Sequence, residues 1–132
     1  MTVLELARQV LIQCNLDTDD LSEYSSQIVT YLNDGYERLY KKWYDKHLPD
    51  AEYLKTDTDT PNLPIRMHLP LPDWATWLMY RNGNVAKQNR GAAFKIAFEE
   101  FLSSVPAGGG VTSAEDLKAR AQSMQFINLY RS

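Results

Sequence analysis

Apolar residues recur three and four positions apart in several stretches of this chain, and polar breaks separate the stretches. Leu4, Ala7, Leu11 and Cys14 make the first stripe, the spacing of one helix face. Thr2 and Glu5 stand before it at capping-box spacing, so a first helix is expected from the N-terminus to about Cys14 or Asn15. Asp17, Thr18, Asp19 and Asp20 form an acidic turn, and acids there complement the positive start of a following helix. The second helix is predicted from Leu21 to Lys46 and is the longest element. Ile28, Leu32, Gly35, Tyr36, Leu39 and Trp43 share one of its sides. Gly35 weakens a helix by about 1 kcal/mol against Ala, and a close helix crossing would account for it. Tyr31, Tyr40 and Tyr44 lie at the edge of the stripe, and this breadth of aromatics suggests more apolar surface than one small core absorbs.

His47, Leu48 and Pro49 stop the second helix. Between Asp50 and Leu69 the chain is polar and irregular until Ile65, Met67 and Leu69 alternate with Arg66 and His68. That alternation reads as a short strand with His68 pointing outward. It needs a partner strand, either residues 53–57 or another chain. Leu69-Pro-Leu-Pro72 then leads into a third helix with Asp73 as N-cap or Pro72 as its first residue. Trp74, Trp77, Leu78 and Arg81 follow at helical spacing. Asn82-Gly83-Asn84 breaks it. A fourth helix is expected from Val85 to Ser104. Its apolar surface would come from Ala86, Ala93, Phe94, Ala97, Phe98, Phe101 and Leu102, and its alanines would allow close packing against the second helix. Trp77, Phe98, Phe101, Leu39 and Ile28 are the expected core.

Pro106-Ala-Gly-Gly-Gly110 reads as a flexible linker, so the chain divides into a helical domain over 1–105, a linker over 106–110 and an arm over 111–132. Ser113 with Asp116 can start a short helix from Ala114 to Ser123. Beyond it Met124, Phe126, Ile127, Leu129 and Tyr130 make an apolar, extended end suited to a partner. The expected fold class is therefore mainly α: a small bundle with a long central helix, a short β-element in the 50–69 loop and an extended C-terminal arm.

Composition narrows the chemistry. The 132 residues suit one domain with one modest core, and no apolar run is long enough to cross a bilayer. Glu5 and Arg8 interrupt the first apolar stretch, so no secretory signal is expected. The single cysteine, Cys14, excludes an internal disulfide and reads as a small buried apolar residue. Net charge is −3 but uneven: residues 1–60 carry 12 acids and 6 bases, residues 61–132 carry 5 acids and 8 bases. Arg81, Lys87, Arg90 and Lys95 form an acid-free stretch, candidates for contact with DNA phosphates or with a neighbouring subunit.

No catalytic, metal or cofactor site is expected. Gly108–Gly110 lacks the Lys-Ser/Thr of a phosphate-binding loop. His47 and His68 are 21 residues apart with no cysteine nearby, which is not zinc-ligand spacing. Asp57-x-Asp59 and Asp17-x-Asp19 lack the glycine and glutamate of a helix-flanked calcium loop.

The chain resembles the head–tail connector, or adaptor, proteins of tailed bacteriophages. The residues that carry the likeness are the N-terminal helix, the Tyr31-LNDGYERLYKKW-Tyr44 helix, Leu69-Pro-Leu-Pro72, the Trp74-to-Tyr80 helix and the Ala92-to-Phe101 helix, over roughly residues 1–105. The resemblance implies a virion structural protein and not an enzyme. Such subunits form a ring, dodecameric by the resemblance, between the portal protein and the tail or a tail-completion protein. They extend the DNA channel, with contacts to the genome that are not sequence-specific, and their C-terminal segments often reach into the portal. It places the protein in the virion neck, made in the host cytoplasm, with no membrane partner. A tail-completion protein of the same virion is the nearest alternative. A small helical DNA-binding regulator is a further one, against which the net acidic charge argues.

Overall fold

The computed structural model describes residues 1–110, and within them the chain is mainly helical. Four α-helices follow in order: α1 Val3–Gln13, α2 Leu21–Tyr44, α3 Leu71–Arg81 and α4 Val85–Ser104. Single 3-10 turns lie at Thr18–Asp20, Asp50–Glu52 and Ile65–Met67. The long central helix is present, ending at Tyr44 rather than Lys46, and buries Ile28, Leu32, Gly35, Tyr36 and Leu39 of its predicted stripe. Helix α1 buries Val3, Leu6, Ala7, Val10 and Leu11, so of its predicted stripe Leu4 and Cys14 are only half-buried, and in α3 Trp74 and Leu78 are buried while Arg81 is exposed. The Met124–Tyr130 arm and the short 114–123 helix lie outside the described residues.

The ends of α1 show why its sequence works. Thr2 Oγ1 accepts from the Glu5 amide while the Glu5 carboxylate accepts from the Thr2 amide, a complete capping box. The two remaining first-turn donors, Val3 N and Leu4 N, reach the carbonyls of Asp59 and Asp57 at 2.8 and 3.1 Å. At the other end Asn15 adopts left-handed φ 57°, so Asn15 N reaches Ile12 O and Leu16 N reaches Leu11 O. This pattern satisfies carbonyls that would otherwise be left open.

The packing centre is α3. Its buried residues include Leu71, Trp74, Ala75, Thr76, Leu78 and Tyr80, facing α1, α2 and α4 together. Two glycines allow the approach. A Cβ on Gly35 of α2 would stand 3.2 Å from the Trp74 ring and 3.3 Å from Leu71, the close crossing that its sequence position anticipated. A Cβ on Gly91 of α4 would stand 2.7 Å from Tyr80 Cβ and 3.1 Å from Trp77. Phe98 is fully buried and stacks against Trp74 with ring centroids 4.8 Å apart.

Four expectations are corrected. Residues 65–67 form a 3-10 turn and no strand occurs among the described residues. Met67 turns inward, while Ile65 and Leu69 are exposed. A strand would have put all three on one side, but Pro64 and Pro70 remove two amide donors from any ladder and the chain closes locally instead. His68 is buried, not outward. Helix α3 begins at Leu71 with Pro70 as its N-cap residue, so Asp73 lies inside the first turn and its side chain accepts from Gln13 Nε2 at 3.0 Å. Finally, α4 packs chiefly on α3 and only its end meets α2, where Lys42 Nζ donates to Leu102 O. Its alanines 86, 93 and 97 face outward, and Gly91 provides the close contact. Of the expected core, Phe98, Leu39 and Ile28 are fully buried, whereas Trp77 and Phe101 are half-buried.

The long 45–70 connection is held by side chains of α2. Asn33 donates to Leu54 O and accepts from Leu54 N. Glu37 accepts from Leu48 N, the Tyr53 hydroxyl and His47 Nδ1. The Tyr36 hydroxyl accepts from Asn62 N at 2.8 Å, and the Tyr44 hydroxyl donates to Asn62 O at 2.9 Å. Much of the tyrosine surplus is therefore taken up inside the subunit. His68 fixes the end of this connection: its Nε2 donates to Leu63 O at 2.7 Å and its Nδ1 accepts from the Met1 ammonium at 2.9 Å.

Two measurements test this packing. Alanine at Gly91 raises helix propensity, yet it should destabilise by about 1–3 kcal/mol because its methyl group overlaps Tyr80. Phe98→Ala should destabilise by about 3–5 kcal/mol in the same denaturant titration. A pH series tests His68. Burial lowers its pKa below 6.5, so the unfolded chain takes up the proton first. Its contribution is therefore full above about pH 6.5 and shrinks as pH falls toward the folded-state value. Half-buried Asp73, whose pKa is raised by burial, acts in the opposite direction nearer its own range. The melting temperature should drop between about pH 7 and about pH 5.5, and His68→Gln should flatten that drop.

Candidate functional site

Among the described residues, the outer face of α4 is one surface without a partner. Its inward side is set by Gly91 and Phe98. At 100° per residue the opposite side carries Ala86, Asn89, Ala93, Ile96, Ala97, Glu100, Ser103 and Ser104, and every one of them is exposed. Ile96 is 55% exposed and Val85, at the edge of the same face, 71%. Leu69 and Ile65 are exposed as well, at the opposite end of the α3 segment. The face is mixed: Ala86, Ala93, Ile96 and Ala97 alternate with Asn89, Glu100, Ser103 and Ser104.

The four predicted basic residues do not make one patch. Arg81, in the last turn of α3, lines an open groove of about 400 Å³ with Asp34, Arg38, Tyr53 and Leu78. Lys87 and Arg90 are exposed on the first turns of α4, where the Lys87 stem lies against Gly83. Lys95 is half-buried, with its ammonium 5.2 Å from the Trp77 ring centroid and 3.8 Å from Glu99. Arg90 thus stands as an exposed cation with no ion pair among the described residues. Asn84 caps the helix that carries it, accepting from Lys87 N at 3.0 Å.

The linker expectation also changes. Gly108 N and Gly110 N donate to the carbonyls of Lys42 and Trp43, both at 2.9 Å. These are C-terminal carbonyls of α2, left without helical partners where Asp45 turns to φ 53°. Gly110 is buried, and a side chain there would overlap the Trp43 indole. Arg66 lies over the same indole at 5.3 Å. The segment 106–110 is glycine-rich because backbone must lie directly on Trp43. It delivers the chain to residue 111 from a fixed point at the end of α2.

The predicted arm residues Met124, Phe126, Ile127, Leu129 and Tyr130 lie outside the described residues. Sequence reasoning missed two clusters. One is Asp34, which accepts from Trp74 Nε1 at 2.5 Å and from Arg38 Nε at 3.1 Å while Arg38 covers the Trp74 ring. Asp34 and Arg38 at i,i+4 were the readable signal. The other is Gln13, which bonds both Asp73 and the buried Thr76 hydroxyl. Both clusters join helices. The Cys14 thiol nearby is pushed up to about 11 by burial, so it is protonated at neutral pH.

No helix among the described residues is long and apolar enough to cross a membrane. Groups of three or more potential metal-ligating side chains do not occur among them. No protein-family model, curated protein or solved structure matches the chain.

Proposed function

We propose that this protein is a head–tail connector subunit of a tailed bacteriophage, assembling into a ring between the portal and the tail and extending the channel through which DNA passes. The observation that carries the reading is the exit of the chain at Gly110. A helical body holds residues 106–110 by two backbone hydrogen bonds on α2 and a buried glycine on Trp43, and the sequence continues for 22 residues that include Phe126, Ile127, Leu129 and Tyr130. A rigid body with a fixed tether point and an apolar terminal sequence suits a subunit that docks on a larger assembly. The portal is the docking partner in this reading, and a strand edge or apolar pockets on it would receive the arm.

The outward placement of Lys87 and Arg90 on α4 supports a second element of the reading, contact with phosphates in the channel or with acids of the adjacent subunit. Ring closure requires two different faces on each subunit. The acidic turn from Asp17 to Asp20 and the basic start of α4 give such faces opposite charge.

Truncation after Gly110 tests the proposal. The shortened protein keeps the Trp43 contact, so its melting temperature should stay within a few degrees of the parent. Co-sedimentation with portal-bearing heads should be lost. Parental attachment of the truncated protein would remove the arm from docking, and failure of the full chain to bind heads at all would remove the connector reading.

A further inference from the structure

We infer that α4 pairs with α4 of a second copy, antiparallel, across a two-fold axis at the level of Lys95. The inference goes beyond the connector reading and does not rest on it. Three properties of the outward face support it together.

The first is a continuous seam. Ala86, Asn89 or Arg90, Ala93, Ile96 or Ala97, Glu100 and Ser103 or Ser104 repeat at alternating three- and four-residue spacing. This is the period that keeps one face of a helix on a partner helix. All of these side chains are exposed in the subunit. The seam runs most of the length of α4, about 30 Å at 1.5 Å per residue.

The second is size. Ala86, Ala93, Ala97, Ser103 and Ser104 are small, so two backbones can approach at the short end of the usual 8–10 Å range. Ile96, 55% exposed, supplies the apolar bulk beside the axis.

The third is charge, and it selects both the occupant and the direction. Helix α4 is polarised: Lys87 and Arg90 lie toward its start, Glu99 and Glu100 toward its end. Arg90 and Glu100 are both exposed and neither has an ion pair among the described residues. An antiparallel second copy brings Arg90 opposite the partner's Glu100 twice, once on each side of the axis. The same alignment sets Ala93 against the partner's Ala97 and Ala86 against the partner's Ser104, so small residues meet at these two levels on each side of the axis. It also opposes the two helix dipoles. A parallel pair would set Arg90 beside Arg90 and Glu100 beside Glu100. The face is thus complementary to itself reversed.

A two-fold contact closes on two subunits and cannot propagate around a ring. The pairing therefore describes the free protein. It would cover Ile96 and the alanines of α4 until a higher-order assembly displaces it.

Sedimentation equilibrium on the full chain tests this, with charge-swapped variants. The parent should show twice the 15.2 kDa subunit mass at high micromolar concentration. Arg90→Glu and Glu100→Arg, each alone, turn both attractions into repulsions and should weaken the dimer by at least about tenfold. The double variant Arg90→Glu/Glu100→Arg restores opposite charge and should recover most of the parental affinity. All three changes sit on exposed positions, and a thermal melt confirms that each variant is folded. A monomeric parent, unaffected single variants, or a folded double variant that stays dissociated would each overturn the inference. Cross-linking gives an independent reading. Ile96→Cys lies about 3 Å along the axis from its symmetry mate, whereas Arg90→Cys lies about 15 Å away. Oxidation should give a covalent dimer with Ile96→Cys. Preferential cross-linking of Arg90→Cys would refute the antiparallel register.

Discussion

Aromatic side chains of α3 rest on bare backbone of the helices on either side of it, and the bundle is built on that contact. Trp74 and Leu71 lie over Gly35 of α2, and Tyr80 and Trp77 lie over Gly91 of α4. Helix α3 has only 11 residues, too few to be stable alone. Its stability comes from being enclosed. Each large ring placed against a glycine brings two helices close without leaving a void, and dense packing of this kind is what distinguishes a single native arrangement from a loose collapse. Polar groups then lock the same junctions. Trp74 Nε1 is held by Asp34 of α2, and Thr76 and Asp73 by Gln13 of α1. No buried side-chain nitrogen or oxygen among the described residues lacks a hydrogen-bond partner.

Because α3 uses nearly all its surface internally, the surfaces left for assembly belong to its neighbours. Helix α4 touches α3 along one side, and its other side is exposed and carries mostly small residues with Ile96, Asn89 and Glu100 among them. Helix α2 would have kept a similar exposed row of aromatics, but the long 45–70 connection covers it. Tyr36 and Tyr44 hold Asn62, and Asn33 and Glu37 hold the chain between Leu48 and Leu54. The two long helices thus have different fates, one wrapped by its own chain and one left open.

The helices were legible in the sequence because local signals agree there. The Thr2/Glu5 box, the Ile28-to-Trp43 stripe and the Asn82-Gly83-Asn84 break all act over a few residues. Gly35 was legible too, since a glycine on an apolar helix face marks a place where a neighbouring helix comes close. The 50–69 connection was not. Its order comes from Asn33, Tyr36 and Glu37, some 20 residues away in sequence, and periodicity carries no record of such partners. The alternation at Ile65–Leu69 imitated a strand within a turn bounded by prolines. For α4 the apolar content was read correctly and its direction was not. Alanine looks like a packing residue on either side of a helix, and Gly91 with Phe98 marks which side meets α3. The glycine run at 108–110 misled for the opposite reason: glycine permits flexibility, but it also permits contact, and the Trp43 ring decides between them.

The capping of α1 by Asp57 and Asp59 bears on the order of synthesis. Helix α1 is made before the other three, yet two of its first-turn amides find their acceptors only after more than 50 further residues have been added. At about 5–20 residues per second, the ribosome needs several seconds to deliver them. Through that interval α1 has its own Thr2/Glu5 box and only α2 to pack on, and an isolated helix of 11 residues is marginal. Its capping is therefore completed only on the arrival of the central connection, and its packing only on that of α3. Vectorial growth of this chain leaves its first element waiting for its middle.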